Sequence, residues 1–178
     1  MGLVTVLDCF LHRGIDQLVR ARRVHARDGG RTADSAHARR SPAPDFNLPD
    51  ITGQNLRLSA RRGRVTLLSF WGTWSRSCRL EIPGLERLHL NYGQRGLDVV
   101  GIAVSEPDGA TGLTSWCSAH HVTYRQMLST PELQEVYGDV LELPVTVLID
   151  KKSRIRYRWN GERDYATFQA AVERLVAE

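Results

Sequence analysis

The sequence predicts an α/β fold: a mixed central sheet flanked by helices, behind an N-terminal helical extension. Three observations carry this. From Pro42 onward, apolar strand-like runs alternate with helix-periodic segments, the pattern of a sheet packed against helices. The last two strand runs, Val145 to Asp150 and Arg154 to Arg158, are separated only by Lys151-Lys152-Ser153, so they pair antiparallel. Charge is also segregated: residues 1–41 hold eight Arg against four Asp, and residues 42–178 hold sixteen basic and sixteen acidic side chains. The 178 residues are 42 % hydrophobic and 25 % charged, with a net charge of +4, which suits one globular domain with an appendage. Three cysteines cannot build a disulfide framework, and no apolar run reaches the length that spans a bilayer.

Residues 1–41 read as a basic helical extension and linker. Leu3, Leu7, Leu11, Ile15 and Leu18 recur at three- and four-residue steps as far as Arg27, and Gly29-Gly30 ends the pattern, as expected of a surface helix on a tether. A secretory signal is not visible, because Asp8 interrupts the apolar run and His12-Arg13 closes it. Asp8 before Cys9 is also wrong for a lipoprotein cleavage site. A cytoplasmic location is therefore expected, or an exported, periplasmic one if the start codon is misplaced. The extension offers at most a weak membrane contact. Specific nucleic-acid binding is not expected, since its arginines are not interleaved with aromatics.

Residues 42–178 form the domain. Asp45 to Asp50 and Asn55 to Leu58, around Gly53, predict a small hairpin. Arg64 to Phe70 predicts a strand buried on both faces. A helix is expected from Ser75 to Tyr92, bent at Pro83 and closed at Gly93. Leu97 to Val104 follows as a strand, Leu113 to His121 as a helix and Thr123 to Leu128 as extended chain. Thr130-Pro131 opens a short helix that Gly138 ends. Phe168, Ala171, Val172, Leu175 and Val176 mark the inner stripe of a final helix.

The segment Phe70-Trp71-Gly72-Thr73-Trp74-Ser75-Arg76-Ser77-Cys78-Arg79-Leu80-Glu81-Ile82-Pro83 resembles the active-site segment of thioredoxin-like proteins. It is most similar to the TlpA-like thiol–disulfide oxidoreductases and the neighbouring redoxins of the AhpC/TSA type. Pro44 to Ser59 and Leu143 to Asp150 match the flanks, so the resemblance covers residues 42–178. It implies a thioredoxin-like fold, a role in cell redox homeostasis, and a cis-proline at Pro144 lying against the Ser75–Cys78 turn. It also implies that Ser75 stands where the family has the first cysteine of Cys-x-x-Cys, the attacking thiolate. A serine hydroxyl forms no disulfide, so dithiol reductase activity is not expected. Cys78 and Ser75 are then the candidate catalytic pair, with Trp74, Arg76, Leu143 and Pro144 as substrate-binding residues.

Two functions stay open. The leading one is an antioxidant or thiol oxidoreductase activity in which Cys78 alone reacts with peroxide or a low-molecular-weight thiol. Its position in the first helical turn, beside Arg76 and Arg79, is expected to lower its pKa. Ser75-x-x-Cys78 also resembles the T/S-x-x-C of peroxiredoxins, although Trp71 stands where they have proline. Their activating arginine has no evident counterpart among Arg154, Arg156 and Arg158. A hydrogen bond from Ser75 to an external thiol such as glutathione is a lesser possibility. The alternative is a non-catalytic binding module that holds an extended peptide at the Pro144 loop, with Cys78 a buried, inert thiol. Protein thiols or disulfides, peroxide and small thiols are the expected partners, and no cofactor is expected. Cys117, His120 and His121 share a helix face but lack a fourth metal ligand, so they read as a helix end. Trp71 reads equally as groove wall or core, and Cys9 as a passive apolar-face residue.

Overall fold

The structure, a computed structural model, describes residues 41–178 apart from Asp139 and Leu141. The expectations for the extension, including those for Cys9, lie outside the described residues. Five strands form the main sheet: β3 (Val65–Trp71), β4 (Leu97–Ala103), β5 (Arg125–Leu128), β6 (Val145–Ile149) and β7 (Ile155–Asn160). Their order is β5-β4-β3-β6-β7, with β3, β4 and β5 parallel and β6 and β7 antiparallel to their neighbours. The expected hairpin, β1 (Asn47–Pro49) with β2 (Asn55–Arg57), forms a separate two-stranded sheet. Gly53 sits in its turn at φ +83°, a conformation that other residues adopt only with strain.

Every residue of β3 is buried, because both faces of the sheet are covered. On one face, Leu67 and Trp71 pack with Leu85 and Leu88 of α1 (Arg76–Tyr92), Leu113 of α2 (Gly109–Ala119) and Phe168 of α4 (Tyr165–Ala177). On the other, Leu68 and Phe70 pack with Phe46, Leu56 and Leu58 of the hairpin region and with Leu133 of α3 (Pro131–Val136). The two-residue period of the strand divides its side chains between these cores. Both sheet edges are capped. Ser41 accepts a hydrogen bond from the Ile155 amide and Ser153 from that of Ala43, each at 2.9 Å, along β7. The Ile51 amide donates to Gln126 along β5 at 2.9 Å. Pairing at these positions shortens the edge open to unwanted strand addition.

Two boundaries differ from expectation. Ser41 belongs to the β7 edge and not to a linker, a long-range pairing that composition does not reveal. Helix α1 ends at Tyr92 with Gly93 as its cap, as expected, and a 3₁₀ turn carries the chain on to Gly96, whose φ of +100° makes the reversal. Helix α2 starts at Gly109, four residues before Leu113. Only Leu113 and Cys117 are buried along it, so its first turn has no apolar signal.

Candidate functional site

Strand β3 ends at Trp71, and the four residues to Ser75 carry the chain from the sheet into α1. Ser75 caps the helix: its hydroxyl accepts from the Cys78 amide at 3.4 Å, satisfying one of the free N–H groups at a helix start. The cap geometry turns Cys78 inward, where Ile82 and Leu85 of the same stripe are also buried.

The loop before the cap is held from several sides. Glu106 accepts from the Thr73 amide (2.8 Å) and the Thr73 hydroxyl (2.6 Å). Arg79 donates to the Thr73 carbonyl at 2.7 Å. Trp74 donates from its indole to the Val104 carbonyl at 3.1 Å while staying 55 % exposed. Its ring crosses Gly72 so closely that a Cβ there would lie 2.7 Å from Nε1, so Gly72 has to lack a side chain.

The Leu143–Pro144 peptide bond is cis, as the resemblance implied. Ser77 joins this loop to the helix start, donating to the Leu143 carbonyl at 3.3 Å and pairing with the Ser75 hydroxyl at 3.1 Å. Thus Ser77 links the Ser75 cap to the Leu143–Pro144 loop; Ser75, Cys78 and Pro144 are buried, Leu143 is partly exposed and Trp74 is exposed. Arg76 is exposed on the first turn, and no hydrogen bond or ion pair ties it to this group among the described residues.

Burial overturns one expectation. Cys78 is only 1 % exposed, and burial pushes its thiol up, not down. The Ser75 hydroxyl and the Gly72 backbone pull the other way, and the charge of Glu81 adds to the rise. The helix start favours a thiolate, but desolvation outweighs it here. Cys117 is likewise pushed up, to about 11, by burial and then by Glu106.

Glu81 is the residue that sequence reasoning quoted without assigning a role. It lies three positions after Cys78, on the same buried face, and is 3 % exposed. One carboxylate oxygen accepts from the Arg163 amide at 2.6 Å; the other has no hydrogen-bond partner among the described residues. Burial raises its pKa to about 7, with Glu162 adding to the rise and the Arg163 backbone opposing it. The β7–α4 connection therefore touches the site twice, since the Gly161 amide also donates to the Pro144 carbonyl at 2.8 Å. The signal was present: a carboxylate at i+3 from one buried residue and i−4 from another falls on an apolar helix stripe.

The remaining candidates sort cleanly. Trp71 is core, fully buried and hydrogen-bonded to Gln126 at 3.0 Å. Arg154 and Arg156 pair with Asp150, and Arg158 binds the Tyr137 and Gly138 carbonyls, so none serves Cys78. Ring stacking joins His120 to Trp116 at 3.8 Å, and its Nδ1 bonds the Trp116 carbonyl, while Cys117 is buried in the core. Among the described residues no cluster suits a metal ion.

A cis-proline loop facing a capped helix start, on a β5-β4-β3-β6-β7 sheet, defines a thioredoxin-like fold of the thiol–disulfide oxidoreductase class. The chain belongs to the AhpC/TSA family, whose profile matches residues 40–158. It is 32 % identical over 126 residues to the thiol-disulfide oxidoreductase ResA of Geobacillus thermodenitrificans, covering 70 % of this chain and 71 % of that one. A solved thiol:disulfide interchange protein of the thioredoxin family from Chlorobium tepidum superposes with a TM-score of 0.71 at 27 % identity, covering 78 % of this chain and 98 % of that one. A secreted thiol-disulfide isomerase from Corynebacterium glutamicum shares the fold, with a TM-score of 0.69 at 22 % identity over 76 % and 86 % of the two chains. The expected cytoplasmic location gains no support from these relatives. Among the described residues no helix is long and apolar enough to cross a membrane.

Proposed function

We propose that this chain is a thioredoxin-fold protein that binds an extended segment of a thiol- or disulfide-bearing client at the Trp74–Ser75–Pro144 face, without running a dithiol exchange cycle. The observation that carries this is the burial of Cys78, at 1 % exposure with its thiol pushed up. A thiol that is covered and protonated attacks neither peroxide nor disulfide at a useful rate, since the thiolate is the nucleophile. Ser75, in the family's attacking position, supplies no second sulfur, and its oxygen is committed to the cap. The resident features that remain suit recognition: a half-exposed indole and a cis-proline loop whose Leu143 is partly exposed. The relatives are named as acting on thiols and disulfides, which motivates that client class. An exported location goes with this reading and is checked by fractionating cells that make the native chain.

The deciding experiment is native-state alkylation of Cys78 with iodoacetamide across pH, read by mass spectrometry. Protection of Cys78 until the chain unfolds supports the binding reading. The single-thiol alternative rests on the hydrogen bonds from Ser75 and Gly72 that favour the Cys78 thiolate. Rapid alkylation of folded protein near neutral pH, with sulfenic acid trapped after peroxide, would establish that alternative and end the binding-only proposal.

A further inference from the structure

Along the outer side of α1 lies an open groove of about 580 Å³, separate from the Pro144 face and closed on its far side by the end of α2. Its floor is apolar: Ile82, Pro83 and Leu90 from α1, and Trp116 from α2. Leu90 is 67 % exposed, a large apolar side chain left in water with a second apolar wall opposite. Two arginines, Arg79 and Arg87, line the groove together with His120 and His121. Neither arginine forms an ion pair among the described residues; Arg79 holds the Thr73 carbonyl, and Arg87 lies over the Tyr165 ring at 4.3 Å. Such contacts leave a guanidinium's charge uncompensated. Glu86 is the one carboxylate in the lining and accepts from the amide and hydroxyl of Thr123, so the arginines outnumber the lining's acidic groups two to one.

We infer that this groove is a docking surface for a short acidic amphipathic helix of a partner protein. Two helices with a cleft between them present an apolar trough that takes the inner stripe of a third helix. From Arg79 to Leu90 the trough runs roughly 16 Å along α1 at 1.5 Å per residue, which accommodates about three turns of a partner. Leucine-type side chains at i, i+3 or i+4 and i+7 would seat on Pro83, Leu90 and Trp116. Carboxylates flanking that stripe would meet Arg79 and Arg87, and such pairing sets partner choice and speeds encounter. The other occupants fit less well. A second copy related by two-fold symmetry would bring one pair of arginines against another. A bilayer surface is flat, and a concave floor between two helices cannot reach it. The Arg79 end adjoins the loop that carries Trp74 and Ser75, so a protein anchored here would be held beside the Pro144 face. The inference does not depend on what that face does.

The test uses the full chain and a fluorescein-labelled synthetic peptide of twelve residues, with leucines at positions 2, 5, 6 and 9 and glutamates at the outward positions. Saturable binding is expected by fluorescence anisotropy, weakening as salt rises. Leu90→Lys, which removes the apolar seat but adds positive charge, should weaken binding at least tenfold. Arg87→Glu should do the same, while Trp74→Ala at the other face should leave it unchanged. Both groove side chains are exposed, so folding is retained and is verified by the thermal transition. Absence of saturable binding overturns the inference. So does equal binding of a peptide with lysine in place of glutamate, or indifference to both groove variants. Binding to vesicles of phosphatidylcholine and phosphatidylglycerol that Leu90→Lys abolishes, with no peptide binding, would make the surface a membrane contact instead. A Leu90-dependent dimer in sedimentation would assign it to a second copy; either result refutes the acidic-helix occupant.

Discussion

The starts of α1 and α3 are built by the same device and put to different ends. Ser75 accepts from the Cys78 amide at 3.4 Å, and Thr130 from the Leu133 amide at 3.2 Å. In each case the third helical residue turns inward and is almost completely buried, Cys78 at 1 % and Leu133 at 3 % exposure. The fold thus treats a thiol as it treats a leucine. The nearby carboxylates separate the two regions. Glu132, in the first turn of α3, is exposed, and its own backbone and the Thr130 hydroxyl lower its pKa. Glu81, one turn into α1, is buried and raised to about 7. A helix start favours a negative charge only where water or donors reach it. What distinguishes the α1 start is therefore its surroundings, the Pro144 loop and the β7–α4 connection, and not the cap.

The sharpest way to break this comparison is to place a sulfur at the α1 cap. Wild-type protein should show no insulin reduction above background with dithiothreitol. Ser75→Cys should form a 75–78 disulfide and raise the rate by at least an order of magnitude, because attack and resolution need two sulfurs. A disulfide without activity would show that the groove has become a binding face; an active wild type would refute the assigned role of Ser75.

Truncation of the two buried residues comes next. Leu133→Ala should cost about 2–5 kcal/mol in denaturant unfolding, as for other large-to-small core changes. Cys78→Ala removes one sulfur and should cost about 1 kcal/mol. A larger loss at Cys78 would mean that its sulfur does more than fill space.

The carboxylates give a pH test. Native Glu81 holds its proton to about pH 7, whereas the unfolded residue ionises near 4.5. Between those values unfolding releases a proton, so stability falls as pH rises and levels off above pH 7. The full difference is roughly 3 kcal/mol at 1.36 kcal/mol per pH unit. Glu81→Gln cannot titrate and should gain on the wild type by that amount between pH 4.5 and 7, measured by urea unfolding. Parallel pH profiles for the two proteins would place the Glu81 carboxylate in water.

The smallest effects test the caps themselves. Ser75→Ala and Thr130→Ala should each lower stability by about 1 kcal/mol. Equal losses support the shared device. A clearly larger loss at Ser75 would show that its link through Ser77 to the Leu143 carbonyl contributes beyond capping.

Much of this site was legible in the chain. Ser75 three residues before Cys78, and Thr130-Pro131 before Leu133, announce helix starts from neighbouring residues alone. The strand runs of β3, β4 and β6 are as apolar as strands buried on two faces must be. The protonated state of Cys78 is not legible locally: its helix position and adjacent arginines argue for a thiolate, while the residues that cover it come from elsewhere in the sequence. Trp71 and Trp74 show the same divide: three residues apart, one is sealed in the core and the other stands open beside the site.

Read alone, the chain specifies what depends on near neighbours: the order of strands and helices, the hydroxyl caps, the turn at Gly53 and a serine, not a cysteine, at position 75. Tertiary packing decides what depends on distant ones. Glu81 meets the Arg163 amide across 82 residues, and Ser77 meets Leu143 across 66. Ser41 pairs with the start of β7, and α1 with α2 forms the arginine-lined groove. Helix and strand patterns arise from backbone geometry over three or four positions. Whether a thiol or carboxylate is desolvated is set by whatever segment, however remote, displaces the water around it.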